Sequence, residues 1–341
     1  MIRVGIVGAG PAGAYCAYKL ADRHIYPSVF DFSHPREKPC GGLVSVAAQE
    51  YFPFLNTLPI PHSQRSTLTM ILPNGRKLTI RYRKGKILSF SRLKFDRYLV
   101  NMALNNGANL IEEKVIGLEH KFGYWKIRTQ KQSYTVKTLV GADGINSIVR
   151  KNIIGSLSKS DKGLCYGYLV KGLENENITI KFLPTKKGYI WIIPRGEDTS
   201  IGIGNTEICR HQELKNELDA FINKFYPHAK KISAWTALIP NVKDGKTLRS
   251  QIAGPNWILI GDAAGHVNSI TGSGIIYALL DGELSAELIL KGHPELFNKL
   301  WIEEYGHTLL RAAMLRDWVY KRPILELYCI YLKLQSETPF I

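Results

Sequence analysis

A glycine cluster set between a short apolar strand and a helix constrains this chain more than any other feature. Ile2, Val4, Ile6 and Val7 form the strand, Gly8-Ala-Gly10-Pro11-Ala12-Gly13 follows at once, and residues 14–20 read as a helix. The glycines have separate tasks. Gly8 permits a tight turn, Gly10 lets the backbone approach a pyrophosphate, and Gly13 lets the helix pack on the strand. Pro11 and Ala12 stand between the glycines, just ahead of that helix, whose free N–H groups can face phosphates. A second strand, Ser28-Val-Phe-Asp31, ends in an acid about 20 residues further on, where a ribose hydroxyl needs an acceptor. Strand, glycines, helix and acid in register predict a dinucleotide-binding βαβ unit.

Composition bounds the rest. A chain of 341 residues suits one large or two ordinary domains. Its 45% hydrophobic and 22% charged residues are those of a soluble globular protein. The formal net charge of +16 points to an acidic partner, with a generally basic surface as the plainer reading. The five cysteines are widely spaced with no CxxC, so neither a disulfide framework nor a metal site is expected, and a reducing cytoplasm fits. With the first strand starting at residue 2, no signal peptide is expected. No run of 18 or more apolar residues signals a membrane-spanning helix.

Further along, residues 66–72 and 76–83 alternate around Pro73-Asn-Gly75 as a hairpin. Residues 92–104 have helical spacing, with Phe95, Leu99, Met102 and Ala103 on one face. Strands are expected near 109–118, 124–129 and 132–136, then a separate short one before Gly141. Residues 164–205 read as consecutive strands of an antiparallel sheet, 211–224 as a helix and 232–239 as a strand. Nucleotide-domain character returns at Trp257, with a helix over 273–291 and a helical tail beyond. The fold class is therefore α/β: a Rossmann-like nucleotide domain, an inserted antiparallel sheet domain and a C-terminal helical segment. The expected bounds are 1–65, 85–155 and 245–295 for the first, 66–84 and 156–244 for the second, and 296–341 for the third.

Three glycine motifs recur in order: Gly8 to Gly13, Gly141-Ala-Asp143-Gly144 and Gly261-Asp262-Ala-Ala-Gly265. Each follows an apolar strand and so sets a tight turn at the carboxyl edge of a sheet, where α/β folds bind ligands. Asp262 can accept a hydrogen bond from a ribityl hydroxyl. Gly272-Ser-Gly274-Ile275 opens a helix whose N–H groups can face a pyrophosphate or a flavin carbonyl. Asp143 either holds the flavin or orients its own loop. In this order the three motifs favour FAD over NAD.

These motifs resemble the FAD fingerprint of the glutathione-reductase-2 superfamily, which includes hydroxylase-type monooxygenases, flavin halogenases and geranylgeranyl reductases. Three features resemble the last group, over residues 1 to about 290: Pro39-Cys40-Gly41-Gly42, Tyr189-Ile-Trp191-Ile-Ile-Pro194 with Gly202-Ile-Gly204, and Gly265-His266-Val-Asn-Ser-Ile-Thr-Gly-Ser-Gly274. Ile193 stands where the family has Phe, Ser269 where it has Pro and Ser273 where it has Glu. The resemblance implies hydride transfer from reduced FAD to isolated double bonds of an isoprenoid lipid; the electron donor, NAD(P)H or ferredoxin, is left open by the sequence. It implies that Cys40, Gly41 and Gly42 lie by the flavin, with Cys40 positioning or protonating; a small packing residue that shapes the loop is the alternative for Cys40. Tyr189 and Trp191, alternating to one strand face, then line a lipid pocket; an ordinary sheet core is the alternative. The resemblance also assigns FAD contacts to Arg92, ahead of Phe95-Asp96, and to the backbone of Val115. His266, beside the third glycine turn, is a candidate acid, though a lone histidine is more often a satisfied loop residue.

Basic clusters occur at Arg76-Lys77, Arg81 to Lys86, Lys186-Lys187 and Lys230-Lys231. They fit a solvated face, an anionic membrane surface or an acidic ferredoxin. Nucleic acid is not expected, because aromatics are not interleaved with them. Residues 324–334 are apolar nearly all round but too short to span a bilayer, so this segment caps a substrate tunnel, docks peripherally on a membrane or partner, or completes the core. The reading is an FAD-dependent reductase of polyprenyl double bonds. A flavin monooxygenase and a non-catalytic flavin- or lipid-binding protein are its rivals.

Overall fold

The structure is a computed structural model that describes residues 2–184 and 187–337. Lys186, from one basic cluster, and residues 338–341, from the expected tail, lie outside the described residues. The chain divides into two compact units, Met1–Arg36 with Phe95–Asp161 and Pro240–Met314, and Glu37–Lys94 with Lys162–Ile239 and Leu315–Ile341.

The first unit is built on a parallel sheet whose order is Trp257–Leu259, Ser133–Gly141, Ile2–Val7, Ser28–Phe30, Asn109–Ile111. An antiparallel edge, Ala253–Gly254, adds to Trp257–Leu259. Val4, Ile6, Leu139, Val140 and Ile258 are fully buried, as expected of parallel strands covered on both faces. The helix Pro11–Ala21 packs on the helix Ile275–Lys291, where Ser285 Oγ donates to Cys16 Sγ at 3.4 Å. The two strands expected near 132–136 and 139–140 are one strand, Ser133–Gly141. Its first half pairs antiparallel with Tyr124–Thr129, while Val136 onward runs parallel to Ile2–Val7. A single strand serves two partners, and no local break is needed between them.

The second unit holds a seven-stranded sheet in the order Lys230–Pro240, Lys162–Lys171, Thr199–Asn205, Gly188–Pro194, Ile178–Phe182, Thr67–Ile71, Lys77–Arg81. It is not wholly antiparallel: Ile178–Phe182 runs parallel to Thr67–Ile71. The hairpin and the later strands come from distant segments, so no tight turn forces the antiparallel arrangement. One face carries Tyr166, Tyr168, Val170, Ile190, Ile192, Ile201 and Ile203 against Leu214, Leu218, Phe221 and Ile222 of the helix His211–Phe225. The other face carries Trp191, Ile193 and Ile178, with Tyr189, Cys165, Ile180 and Trp235 packed on them.

The expected bounds need three corrections, the smallest being that residues 156–161 and 240–244 belong to the first unit. Residues 37–65 and 85–94 belong to the second unit, because Leu43–Val44, His62–Arg65 and Ile87–Phe90 form a small sheet of their own. The tail is not a separate segment. Phe297–Trp301 packs on Ile275–Lys291 in the first unit, and Arg322–Glu337 packs on Lys77–Arg81 in the second. Among the described residues no helix is long and apolar enough to cross a membrane, no cluster of potential metal ligands occurs, and all five cysteines are free.

Asp219 ties the helix His211–Phe225 to its sheet, accepting from Tyr168 Oη at 2.8 Å, Lys215 Nζ at 2.6 Å and Lys231 Nζ at 2.6 Å. Partial burial pushes its carboxyl up, but these donors outweigh that and hold it down at about 2. A depressed carboxylate contributes stability that is fully present above its unfolded value and is lost as pH falls through its folded one. An Asp219→Asn variant is therefore expected to melt below the parent at neutral pH. The gap should close as pH falls from about 4 towards 2 in thermal melts. A gap constant down to pH 2 would refute this.

Candidate functional site

The three glycine motifs meet at the carboxyl ends of three adjacent strands in the first unit. Gly8 has φ +102°, and a Cβ there would lie 2.3 Å from the Ala142 carbonyl oxygen. A Cβ on Gly13 would lie 2.0 Å from the Gly8 carbonyl oxygen and 3.0 Å from Ala142 Cβ. Gly261 would bring a Cβ to 3.1 Å from that of Ala12. By contrast, a Cβ on Gly10 would meet nothing within 4 Å, so this turn opens outward. Gly10 and Gly274 stand at the N-termini of Pro11–Ala21 and Ile275–Lys291 with no side-chain cap. Two uncapped helix starts beside a turn that leaves room suit the phosphates of a dinucleotide.

The acids of these motifs brace the turns. Asp31 Oδ2 accepts from Ala9 N–H at 2.9 Å, and Oδ1 accepts from Ser33 N at 2.9 Å and Ser33 Oγ at 2.7 Å. Burial raises the Asp31 carboxyl, yet these bonds and Arg36 bring it below its ordinary value. Asp143 accepts from Ser147 Oγ and from the N–H groups of Ile148 and Val149, capping the helix Ile148–Ile153. Burial dominates there and raises its carboxyl. Orienting its own loop is the role this geometry supports for Asp143. Asp262 Oδ1 stands beside Gly274, 3.8 Å from where a Cβ would sit, so the two halves of the third motif close on each other. Ser269, in the family's proline position, donates to the Val242 carbonyl at 2.9 Å. Asn268 Oδ1 accepts from Ile270 N and Thr271 N, turning the chain toward Gly272 and Ser273. Val115 opens the strand Val115–Lys121, on the antiparallel branch of the sheet, and is not among the residues these contacts draw together.

His266 is fully buried in the first unit. Its Nδ1 lies 2.9 Å from both Asp281 oxygens, and its ring packs on Trp301 with centroids 4.0 Å apart. Asp281 also accepts from Gly261 N–H at 2.6 Å and Tyr305 Oη at 2.5 Å. Burial and Asp281 push the Tyr305 hydroxyl well up. The third glycine turn thus hangs on a carboxylate 20 residues away, and His266 is a packing partner of that carboxylate. The sequence contained this signal only as a polar Asp281 inside an apolar helix.

In the second unit, Tyr189 and Trp191 do share a strand face, with Ile193. Their rings are 6.1 Å apart, and Trp191 stacks on Trp235 at 5.9 Å and 25°. Cross-strand register explains the spacing of the glycines. Trp191 lies opposite Gly202, and Gly202 opposite Gly167. A Cβ on Gly202 would stand 2.3 Å from Trp191 Cζ2, and one on Gly167 would stand 2.4 Å from Trp235 Cζ2. Two indoles therefore lie flat over two glycines. Trp191 Nε1 donates to Ser200 Oγ at 3.1 Å, and Ser200 Oγ donates to the Cys40 carbonyl at 3.2 Å. The Gly42 N–H donates to Cys40 Sγ at 3.3 Å, and a Cβ on Gly41 would lie 2.6 Å from Ile193 Cδ1. The Cys40 loop is thus fastened to the aromatic wall. Around it, burial pushes the Cys165 thiol up to about 12 and the Tyr189 hydroxyl well above its ordinary value.

A charge network missed from sequence holds this loop. Glu37 accepts from Arg195 Nη1 at 2.7 Å, Ser91 Oγ at 2.5 Å, and the Arg92 and Leu93 N–H groups. It thereby caps the helix Arg92–Asn105, and Arg92 itself is buried. Arg195, also buried, binds Asp198 through Nε and Nη2. Burial lowers the Arg195 guanidinium, but Asp198 and Glu37 outweigh that and raise it. Burial raises Glu37, and Arg195 with Ser91 and Leu93 brings it down.

Two variants test these arrangements. Asp281→Asn is expected to cost roughly 2–4 kcal/mol, since three buried donors lose a charged acceptor. Thermal melts should show that loss, and an unchanged melting temperature would contradict the bonding. Gly202→Ala is expected to displace Trp191 at a cost of about 1–3 kcal/mol by overpacking. Tryptophan fluorescence should report the loss of the stacked pair, and an unaltered spectrum would contradict the geometry.

No protein-family model matches the chain. An uncharacterized protein of Methanosarcina barkeri is 30% identical over 338 residues, covering 93% of this chain and 82% of that one. The digeranylgeranylglycerophospholipid reductase of Methanococcus vannielii is 26% identical over 320 residues, covering 89% and 79%. A geranylgeranyl bacteriochlorophyll reductase-like structure from Thermoplasma acidophilum superposes with TM-score 0.83 at 22% identity, covering 98% of this chain and 91% of that one. The flavin-dependent brominase Bmp2 shares the fold at TM-score 0.77 and 18% identity, covering 98% and 93%. With the glycine turns, the Cys40 loop and the Tyr189–Pro194 strand all in place, the chain belongs to the geranylgeranyl reductase family of FAD-dependent oxidoreductases.

Proposed function

We propose that this protein saturates carbon–carbon double bonds of a geranylgeranyl or related polyprenyl chain, carried by a membrane ether lipid or a prenyl diphosphate. The observation that carries the reading is the aromatic wall of the second unit, with the Cys40 loop hydrogen-bonded to it through Ser200. Tyr189, Trp191, Ile193 and Trp235 offer a polyprenyl chain an apolar and aromatic surface. The reductase names of its relatives favour the same substrate class.

FAD is assigned to the first unit. Gly8, Gly10, Pro11, Ala12 and Gly13 receive its pyrophosphate, Asp31 and Asp262 its sugar hydroxyls, and Gly272, Gly274 and Ile275 its flavin end. Gly261 and Gly265 shape the turn, Asp143 orients the second loop, Val115 is a further contact in this unit, and Arg92, which belongs to the second unit, is assigned another. Reduced FAD, when bound, supplies a hydride. An isolated alkene accepts hydride poorly, so a proton must reach the neighbouring carbon as the hydride arrives. Cys40 is the residue we assign to that proton, its thiol giving H⁺ and recovering it from solvent after product leaves. Gly41 and Gly42 let the Cys40 loop lie close to a planar ring. Tyr189 and Trp191 hold the chain and exclude water, and His266 acts at a distance as a positioning residue for the third glycine turn. NAD(P)H or a reduced ferredoxin is the assigned electron source.

A flavin monooxygenase reading is kept alive by the shared fold of the brominase. Anaerobic stopped-flow of the reduced holoprotein separates the two. Flavin reoxidation on adding a geranylgeranyl lipid, without oxygen, is expected. A substrate that gains an oxygen atom, and does so only once oxygen is admitted, would assign the monooxygenase. Cys40→Ser is expected to slow the anaerobic step about a hundredfold or more, with FAD affinity unchanged. An unaltered rate would remove Cys40 from proton transfer.

A further inference from the structure

The second unit ends in an edge that the reaction does not use. Lys77–Arg81 is the outermost strand of the seven-stranded sheet. Leu78 and Ile80 are buried, while Lys77, Thr79 and Arg81 face outward. The helix Arg322–Glu337 packs against this strand. Between them is a hollow of about 240 Å³ lined by Thr79, Arg81, Arg83 and Lys333. Arg81 and Arg83 make no ion pair among the described residues. Charge on an edge strand commonly serves to block edge-to-edge pairing. That purpose does not require a hollow into which a second element also brings a cation.

The helix adds an apolar row. Leu325 and Cys329 face the core, while Leu327, Tyr331 and Leu334 are 66%, 53% and 58% exposed. Their spacing of four and three residues aligns them on one outer face. Lys333 flanks the row on the side of the hollow. The preceding helix segment contributes exposed Leu315 and Trp318 in the same unit.

We infer that this edge docks on an anionic phospholipid bilayer. The apolar row would enter the headgroup boundary, and Arg81 and Arg83 would take headgroup phosphates. Charge complementarity selects this occupant. A chain with a formal net charge of +16 places uncompensated arginines next to a single-helix apolar row, the arrangement of an interfacial amphipathic helix. Guanidinium groups bind phosphate oxygens in pairs, and tyrosine prefers the interface. The inference rests on this edge and not on the reaction assigned above.

The FAD-loaded full-length protein is to be sedimented with vesicles of phosphatidylcholine alone and of phosphatidylcholine with phosphatidylglycerol, free of isoprenoid. Partitioning onto the anionic vesicles that weakens with salt is expected. An Arg81→Gln/Arg83→Gln variant should partition about thirtyfold less, from the loss of two cations at the surface. Leu327→Ser/Leu334→Ser should also lose binding. Bound-flavin absorbance and turnover of detergent-dispersed substrate verify folding and test the reaction separately. Equal binding to both vesicle types, or unchanged binding by the arginine variant, overturns the inference. So does a solution dimer that Leu327→Ser/Leu334→Ser converts to monomer, which assigns the row to a second copy of the chain.

Discussion

The first unit depends on how closely three backbone turns approach one another. Ala142 leaves no space for a side chain at Gly8, and Gly8 leaves none at Gly13. Adjacent parallel strands can bring their turns this near only if glycine stands at those points. Everything assigned to FAD follows from that closeness. The helix starts at Gly10 and Gly274 stay uncapped, and Asp31, Asp143 and Asp281 take up backbone donors that the tight turns leave over.

A comparable constraint orders the second unit. Gly167 and Gly202 form a cross-strand pair with no side chains on the face that Trp191 and Trp235 cover. The indoles can therefore lie flat and stack, and Trp191 can reach Ser200 and, through it, the Cys40 loop. From the far side, Glu37 and buried Arg195 hold the same loop. A loop fixed at both ends has little conformational freedom left to lose.

Local signals made the glycine turns, the opening strand, the helices at 92–105, 211–225 and 275–291 and the alternation of Tyr189 with Trp191 legible in the sequence. Each depends on a period of two or 3.6 residues, or on a glycine with a single structural use. What stayed hidden was set by long-range pairing. Nothing near Ile178 announces a parallel partner at Leu68, and nothing near Ser133 says that one strand will serve two neighbours. The stacking of Trp235 depends on Gly167, distant in the chain and on another strand, and has no local signal. For His266 the sequence left open an acid or a satisfied loop residue, and only the fold shows it stacked on Trp301 and held by Asp281. Nothing near Glu37 announces Arg195, 158 residues away.

Flavin, aromatic wall and Cys40 together amount to one claim, that electrons leave this protein as hydride onto an isoprenoid carbon. Mass spectrometry of a geranylgeranyl lipid incubated anaerobically with the chemically reduced holoprotein tests it most directly. The account predicts products heavier by two hydrogens for each bond reduced, with no added oxygen. Lipid unchanged without oxygen, and one oxygen atom heavier in its presence, would contradict it.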